Sequence, residues 1–370
     1  MNLLLINYEY PPIGGGAGNA THFMSKALVK QGHEVTVLTT GWENNVGHSL
    51  DQGVHLYCLN AWRSDPSAAS TLEKLHFIWK AKSALPKILQ QRNIEAAIIY
   101  FTIPCGLLAS QLGNIPYVIS LRGGDVPGLV PEIQWIHNLI LPWRRKILSK
   151  AKAIIANAEG LADLSIKADP FPVDIIPNGV DIEFFKPNPT AKKDSSQTEF
   201  LFVGRFHPQK NLHILLEQLS KLKQESSKPF KLHLVGSGPL EDDLKQHSLQ
   251  LNLNENIQWH GWLNKEALRN LHQRANVFIN PSHYEGLPNA VLEAMASGLI
   301  IVVSDIPGNH DLISGGAGYV YDHRDTQDLY NNLQAAHENP NLEFSQTARK
   351  RAEKKYSWQY VAKRYADLFS

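Results

Sequence analysis

The chain has 370 residues, 43% hydrophobic and 19% charged, enough for two globular domains that each bury a core. Its 36 basic residues nearly balance 35 acidic ones, a formal net charge of +1 that argues against a dedicated nucleic-acid binder. Two cysteines, Cys58 and Cys105, leave no disulfide framework and no clustered zinc site, which fits a reducing, cytoplasmic setting. Met1–Asn7 lacks a basic leader and reads as a buried strand rather than a signal peptide. No run approaches the roughly 18 apolar residues of a spanning helix, so any membrane contact is expected to be peripheral. Strands are predicted at 3–7, 35–39, 54–59, 97–101, 117–121, 153–156 and 174–176, with amphipathic helical stretches such as 19–30 and 72–91 between them. After a polar, proline-containing break within 177–198, strands recur at 200–203, 231–235, 257–260, 277–280, 300–304 and 319–321. Strands alternating with helices specify an α/β fold with parallel, doubly wound sheets, and here the pattern occurs twice. A last helix is predicted over 358–368, and Cys58 and Cys105 are expected to pack in the first sheet as inert thiols.

Three clusters carry chemistry. Gly14-Gly15-Gly16-Ala17-Gly18 follows the first strand and opens a helix, where glycines let a ligand approach the backbone and the helix N-terminus offers N–H groups to an anion. A tight turn is the alternative. A dinucleotide fingerprint fits poorly, because Thr21 follows Gly16-x-Gly18 and Thr39-Thr40-Gly41 stands where an acid is needed. In the second half Val203-Gly204-Arg205 leads to Lys210, setting two cations at a strand's carboxyl end, where a diphosphate would lie; a solvated charge pair is the bland reading. Glu285-Gly286-Leu287-Pro288-Asn289 then enters a helix containing Glu293, with Pro288 in its first turn and Gly298 as its left-handed cap. The N–H groups of Gly286, Leu287 and Asn289 form an anion site. Glu293, amid Ala, Val, Leu and Met, needs either a ligand or a core salt bridge.

This ordered set, with Ile176-Pro177-Asn178-Gly179-Val180-Asp181, Leu234-Val235-Gly236-Ser237-Gly238-Pro239 and Glu285 eight positions before Glu293, resembles the retaining glycosyltransferases of family 4, with the GT-B fold. The resemblance implies two Rossmann-like domains facing a deep cleft: residues 1–183 for the acceptor and 184–356 for a nucleotide sugar, with 357–370 crossing back to the first. It implies that Arg205 and Lys210 hold the donor diphosphate, Glu293 the ribose and Glu285 the sugar hydroxyls. Gly204 belongs to the same donor site, Gly15 and Gly16 close over the phosphates, and the loop around Trp262 lies near the base. The family's histidine-glycine segment matches Ser120-Leu121-Arg122-Gly123-Gly124-Asp125, with arginine in the histidine's place. Arg122 and Asp125 then either contact sugar or acceptor, or form a structural ion pair with each other.

No Asp-x-Asp motif is present, and His207, His260, His283 and His310 lack metal-ligand spacing, so no metal and no cofactor beyond a UDP- or GDP-type donor sugar is expected. A glycosidase built on Glu285 and Glu293, a nucleotide-sugar epimerase or hydrolase, and a non-catalytic nucleotide-sugar binder are the competing readings. The acceptor is expected to be a glycan or a lipid-linked group. Carboxylates are absent between Glu73 and Glu95, where Lys74, Lys80, Lys82, Lys87 and Arg92 accompany Phe77, Ile78 and Trp79. They are absent again between Glu132 and Glu159, around Trp135, Trp143, Arg144, Arg145, Lys146, Lys150 and Lys152. These stretches read as a dock for an anionic membrane or as a solvated helix face.

Overall fold

The structure, a computed structural model, describes residues 1–66, 68–128, 134–189 and 196–370. The Trp135 side chain and residues 190–195 of the expected break lie outside the described residues. The chain divides into two compact units, Met1–Gly179 with Trp358–Ser370, and Val180–Ser357.

In the first unit the elements run β1 (Asn2–Ile6), α1 (Gly16–Lys30), β2 (Glu34–Thr40), β3 (Gly47–Asp51), β4 (Val54–Leu59), α2 (Thr71–Arg92), β5 (Ala96–Tyr100), β6 (Tyr117–Ser120), α3 (Gln134–Leu148), β7 (Ala153–Ala156), α4 (Glu159–Ala168) and β8 (Asp174–Ile175). The sheet order is β3-β4-β2-β1-β5-β6-β7-β8, parallel except for β3 against β4. Leu3, Leu4, Leu5 and Ile6 have no exposed surface, as expected of a strand covered on both faces. The antiparallel strand β3 was not anticipated. Its sequence, Gly-His-Ser-Leu-Asp, is polar and almost wholly exposed, so it shows no buried alternation. Cys58 lies in β4, but Cys105 begins a buried 3₁₀ turn, 105–111, rather than a strand. Burial pushes both thiols up, which keeps them protonated at neutral pH. The start of α2 is fixed by a capping box in which Glu73 accepts from the Ser70 amide at 2.7 Å. That amide, with Ser64, holds the Glu73 carboxyl down at about 2.

The second unit contains β9 (Thr198–Val203), α5 (Leu212–Glu225), β10 (Phe230–Val235), α6 (Glu241–Gln250), β11 (Ile257–Gly261), α7 (Lys265–Arg274), β12 (Val277–Asn280), α8 (Asn289–Ala296), β13 (Ile300–Ser304), α9 (Pro307–Ile313), β14 (Tyr319–Tyr321), α10 (Thr326–Glu338) and α11 (Leu342–Lys355). All pairings in its sheet, β11-β10-β9-β12-β13-β14, are parallel. The last helix, α12 (Trp358–Asp367), packs on α1 of the first unit. There Trp358 stacks on Phe23, and the Tyr365 hydroxyl meets Ser120 Oγ at 2.8 Å. An added Cβ at Gly179 would sit 2.6 Å from the Trp358 ring, so this glycine admits the helix.

Arg144, expected on a basic surface, is instead fully buried. Its Nε donates to Asp169 Oδ2 at 2.5 Å and its guanidinium also donates to the Asp125 carbonyl. Arg145 adds a contact to Asp169 Oδ1 at 3.3 Å. Phe77 and Ile78 are likewise core residues.

Candidate active site

In the second unit the strand order reverses direction between β9 and β12, and ligands of such sheets bind outside the carboxyl ends at that switch point. The loops there are stitched together by the backbone. Gly204 N–H donates to Val235 O at 3.0 Å, Phe206 N–H to Ser237 O at 2.9 Å, and Gly236 N–H to Gly261 O at 2.8 Å. Gly236 has φ +127°, and a Cβ on it would lie 2.0 Å from Gly204 O, so only glycine allows the approach. Gly204 itself therefore offers no free N–H to a ligand. Its surroundings are tight on the Phe202 side, where an added Cβ would stand 3.0 Å from the ring, with Lys210 Cε at 3.5 Å.

Lys210 and Glu285, 75 positions apart in sequence, form an ion pair through Nζ and Oε1 at this switch point. Asn280, the last residue of β12, and Ser282 hold the same carboxylate oxygen, with Ser282 Oγ at 2.7 Å and Asn280 Nδ2 at 3.5 Å. Ser304 Oγ donates to the Ser282 carbonyl at 2.5 Å, and Asn309 Nδ2 donates to Ser304 O at 3.1 Å. Four of these polar residues are buried, so the carboxylate rests on a hydrogen-bonded scaffold reaching back to α9. Sequence reasoning passed over Asn280 and Ser282. The available signal was their place at the end of the strand beside the switch point. Arg205 is exposed and has no ion-pair partner among the described residues.

Pro288 caps α8 from outside rather than occupying its first turn, so the helix begins at Asn289. The N–H groups of Gly286, Leu287 and Asn289 make no hydrogen bond among the described residues, leaving the four-donor problem of a helix start to a ligand or to water. Gly298, at φ +71°, is the left-handed cap foreseen. The Glu293 carboxyl has no hydrogen-bonded or ion-paired partner among the described residues, so the core salt bridge is not formed. Loss of hydration pushes its carboxyl up to about 7, with the charge of Lys265 opposing. Trp262, just beyond β11, is 80% exposed.

In the first unit, Gly14 and Gly18 serve the turn: Gly14 has φ +86° and a Cβ on it would lie 2.5 Å from Glu9 Cβ, while one on Gly18 would lie 2.9 Å from Ile13 O. Gly15 and Gly16 have open space around the Cβ position, so the turn does not require them to be glycine. The Gly15 N–H is already taken by Glu9 Oε2 at 3.4 Å, so the space beside it at the entrance to α1, rather than that amide, is what the pair offers a ligand. Arg122 and Asp125 do not form the ion pair considered from sequence. Asp125 is buried and accepts backbone N–H groups of Thr102 at 2.7 Å, Arg122 at 3.0 Å and Gly123 at 3.1 Å, which makes it the organiser of its own loop. The Arg122 guanidinium donates to Asn178 Oδ1 at 2.7 Å and lies 4.6 Å from the Tyr100 ring centroid. Its Nε is buried without a partner. Among the described residues no group of three or more His, Cys, Asp or Glu is gathered as a metal site.

The family profile for group 1 glycosyl transferases matches residues 184–355, and that for glycosyltransferase family 4 matches 14–184. An uncharacterized glycosyltransferase of Methanocaldococcus jannaschii is 25% identical over 339 residues, 85% of this chain and 83% of the relative. The UDP-Gal:alpha-D-GlcNAc-diphosphoundecaprenol alpha-1,3-galactosyltransferase of Escherichia coli is 34% identical over 220 residues, 56% of each chain. The solved sucrose-phosphate synthase from Thermosynechococcus elongatus matches the fold with TM-score 0.76 at 20% identity, over 99% of this chain and 98% of that one.

Proposed function

Because the chain belongs to the group 1, family 4 glycosyltransferases and so transfers a sugar from a nucleotide sugar, we propose that its second unit binds a UDP- or GDP-type donor and that transfer retains the anomeric configuration. The observation that carries this reading is the Lys210–Glu285 pair at the β9/β12 switch point, beside the free cation Arg205 and the unpaired amides that open α8. Breaking the bond from the anomeric carbon to the distal phosphate leaves charge on the nucleoside diphosphate. Arg205, Lys210 and the N–H groups of Gly286, Leu287 and Asn289 are the groups that stabilise it. When the diphosphate takes over Lys210, Glu285 Oε1 is released to a sugar hydroxyl. Glu293 accepts from the ribose, and the exposed Trp262 stacks on the base. The acceptor hydroxyl attacks on the face the diphosphate leaves, and its proton passes to a donor phosphate oxygen, so no enzymic nucleophile is needed. Within the first unit, Gly15, Gly16 and Arg122 are the groups we assign to anion and hydroxyl contacts.

The acceptor is a glycan or a lipid-linked group; the Escherichia coli relative, whose acceptor carries diphosphoundecaprenol, favours the lipid-linked class. Two cations at the diphosphate do the work that a divalent ion would otherwise do, so the reaction is metal-independent. A turnover screen with UDP-, GDP- and ADP-sugars, with and without EDTA, tests the reading. One donor is expected to react equally in both conditions and to give a product of unchanged anomeric configuration. Turnover of none, inversion, or activity lost to EDTA and restored by magnesium or manganese would contradict it.

A further inference from the structure

A pocket of about 520 Å³ opens in the first unit, away from the glycine loop, where the 105–111 turn meets α3 and the start of β6. Lys82, Lys146 and Lys150 line it together with Trp143, Leu107 and Ile115. None of the three lysines has an ion-pair partner among the described residues. The helices beside it, α2 and α3, both pack on the 105–111 turn. Each presents an exposed stripe of the same design. On α2, Leu72, Leu75 and Trp79 lead to Lys82 at steps of three and four residues, which keeps them on one helix face. On α3, Leu139 and Trp143 lead to Lys146 and, just past the helix end, Lys150. Trp79 is 62% exposed and Trp143 56%.

Charge sharpens the pattern. Segments 74–94, 101–121 and 134–158, which build this face, contain no Asp or Glu. Two carboxylates beyond these segments are already engaged, Glu73 on the α2 cap and Asp169 on Arg144 and Arg145. A soluble anion would use the lysines but would leave two stripes of leucine and tryptophan in water, which monomeric surfaces avoid. A bilayer with anionic headgroups satisfies both, because tryptophan rings and leucines enter the interface while lysines meet phosphate. In each crossover the helix starts at the carboxyl edge of the sheet and returns to the amino edge, so the leucine and tryptophan ends lie toward the edge carrying Gly15, Gly16 and Arg122.

We propose that this face docks on an anionic phospholipid bilayer, with the lysine-lined pocket receiving the lipid phosphate. The docking is independent of which donor or acceptor is used, and is read in a separate assay. Sedimentation with vesicles of phosphatidylcholine alone and of phosphatidylcholine mixed with phosphatidylglycerol tests it on the full chain. The wild type is expected to partition to the mixed vesicles and to be released by added salt. Each lysine near such a surface is worth about fivefold in partitioning, so Lys82→Ala/Lys146→Ala/Lys150→Ala should lose roughly a hundredfold. Trp79→Ala/Trp143→Ala should also weaken binding, whereas changing Lys350, Lys354 and Lys355 of the second unit to Ala should not. All variants should retain the wild-type thermal melt and donor turnover. Equal recovery with both vesicle types, no recovery with either, or wild-type partitioning by the triple-lysine variant would overturn the proposal.

Discussion

Glu293 carries a conflict between stability and binding that can be measured. Its carboxyl titrates at about 7 in the fold against an ordinary value of 4.5, and the first cause is loss of hydration inside α8. Below 4.5 the group is protonated in both folded and unfolded chains and costs nothing. As pH rises from there through 7, the unfolded chain ionises first, and stability falls by about 3 kcal/mol in total. Glutamine keeps the shape and never ionises, so Glu293→Gln should remove that loss. In a unit of this size the difference corresponds to roughly 6–12 °C in Tm at pH 8, shrinking toward acid pH. The same substitution should weaken nucleoside diphosphate by about ten- to a hundredfold, since the carboxylate is the acceptor assigned to the ribose. In the wild type, binding near pH 6.5 should release a proton, visible as a calorimetric enthalpy that depends on the buffer. Melting curves of both proteins from pH 5 to pH 8 decide the matter. A Tm difference that does not widen with pH would refute the assignment of a poised, unpartnered carboxyl.

Glu285→Gln is expected to lower kcat about ten- to a hundredfold while leaving free nucleotide affinity unchanged or slightly improved, because Lys210 loses a competitor; steady-state kinetics beside calorimetry would expose an equal loss of nucleotide, which sinks that role. Arg144→Ala should destabilise the first unit by about 3 kcal/mol in denaturant unfolding, since it leaves buried Asp169 only the half-exposed Arg145, whereas a cost below about 1 kcal/mol would mean the pair is not a structural tie.

Much of this was legible in the sequence because it follows local rules. Runs such as Leu3–Ile6 and Ile300–Ser304 are apolar enough to declare buried parallel strands, and Gly298 marks its helix end because glycine alone adopts the left-handed conformation there without steric cost. What escaped depends on partners far along the chain. Arg144 looks like surface charge until Asp169, 25 positions later, is brought against it. Asp125 sits three residues from Arg122, the spacing of an ion pair, yet its oxygens are taken by backbone amides that only the folded loop aligns. Ser282 and Asn280 are unremarkable polar residues until burial makes them the scaffold of Glu285. β3 escaped for the opposite reason, since an exposed edge strand needs no apolar pattern at all.

The central claim is that the β9/β12 switch point holds a nucleoside diphosphate through Arg205 and Lys210. Calorimetric titration of UDP, GDP and ADP into the wild type, Arg205→Ala and Lys210→Ala tests it without any acceptor. The wild type should bind at least one of them, and each variant should bind it about ten- to a hundredfold more weakly. Binding of none by the wild type, or undiminished binding by both variants, would contradict the account.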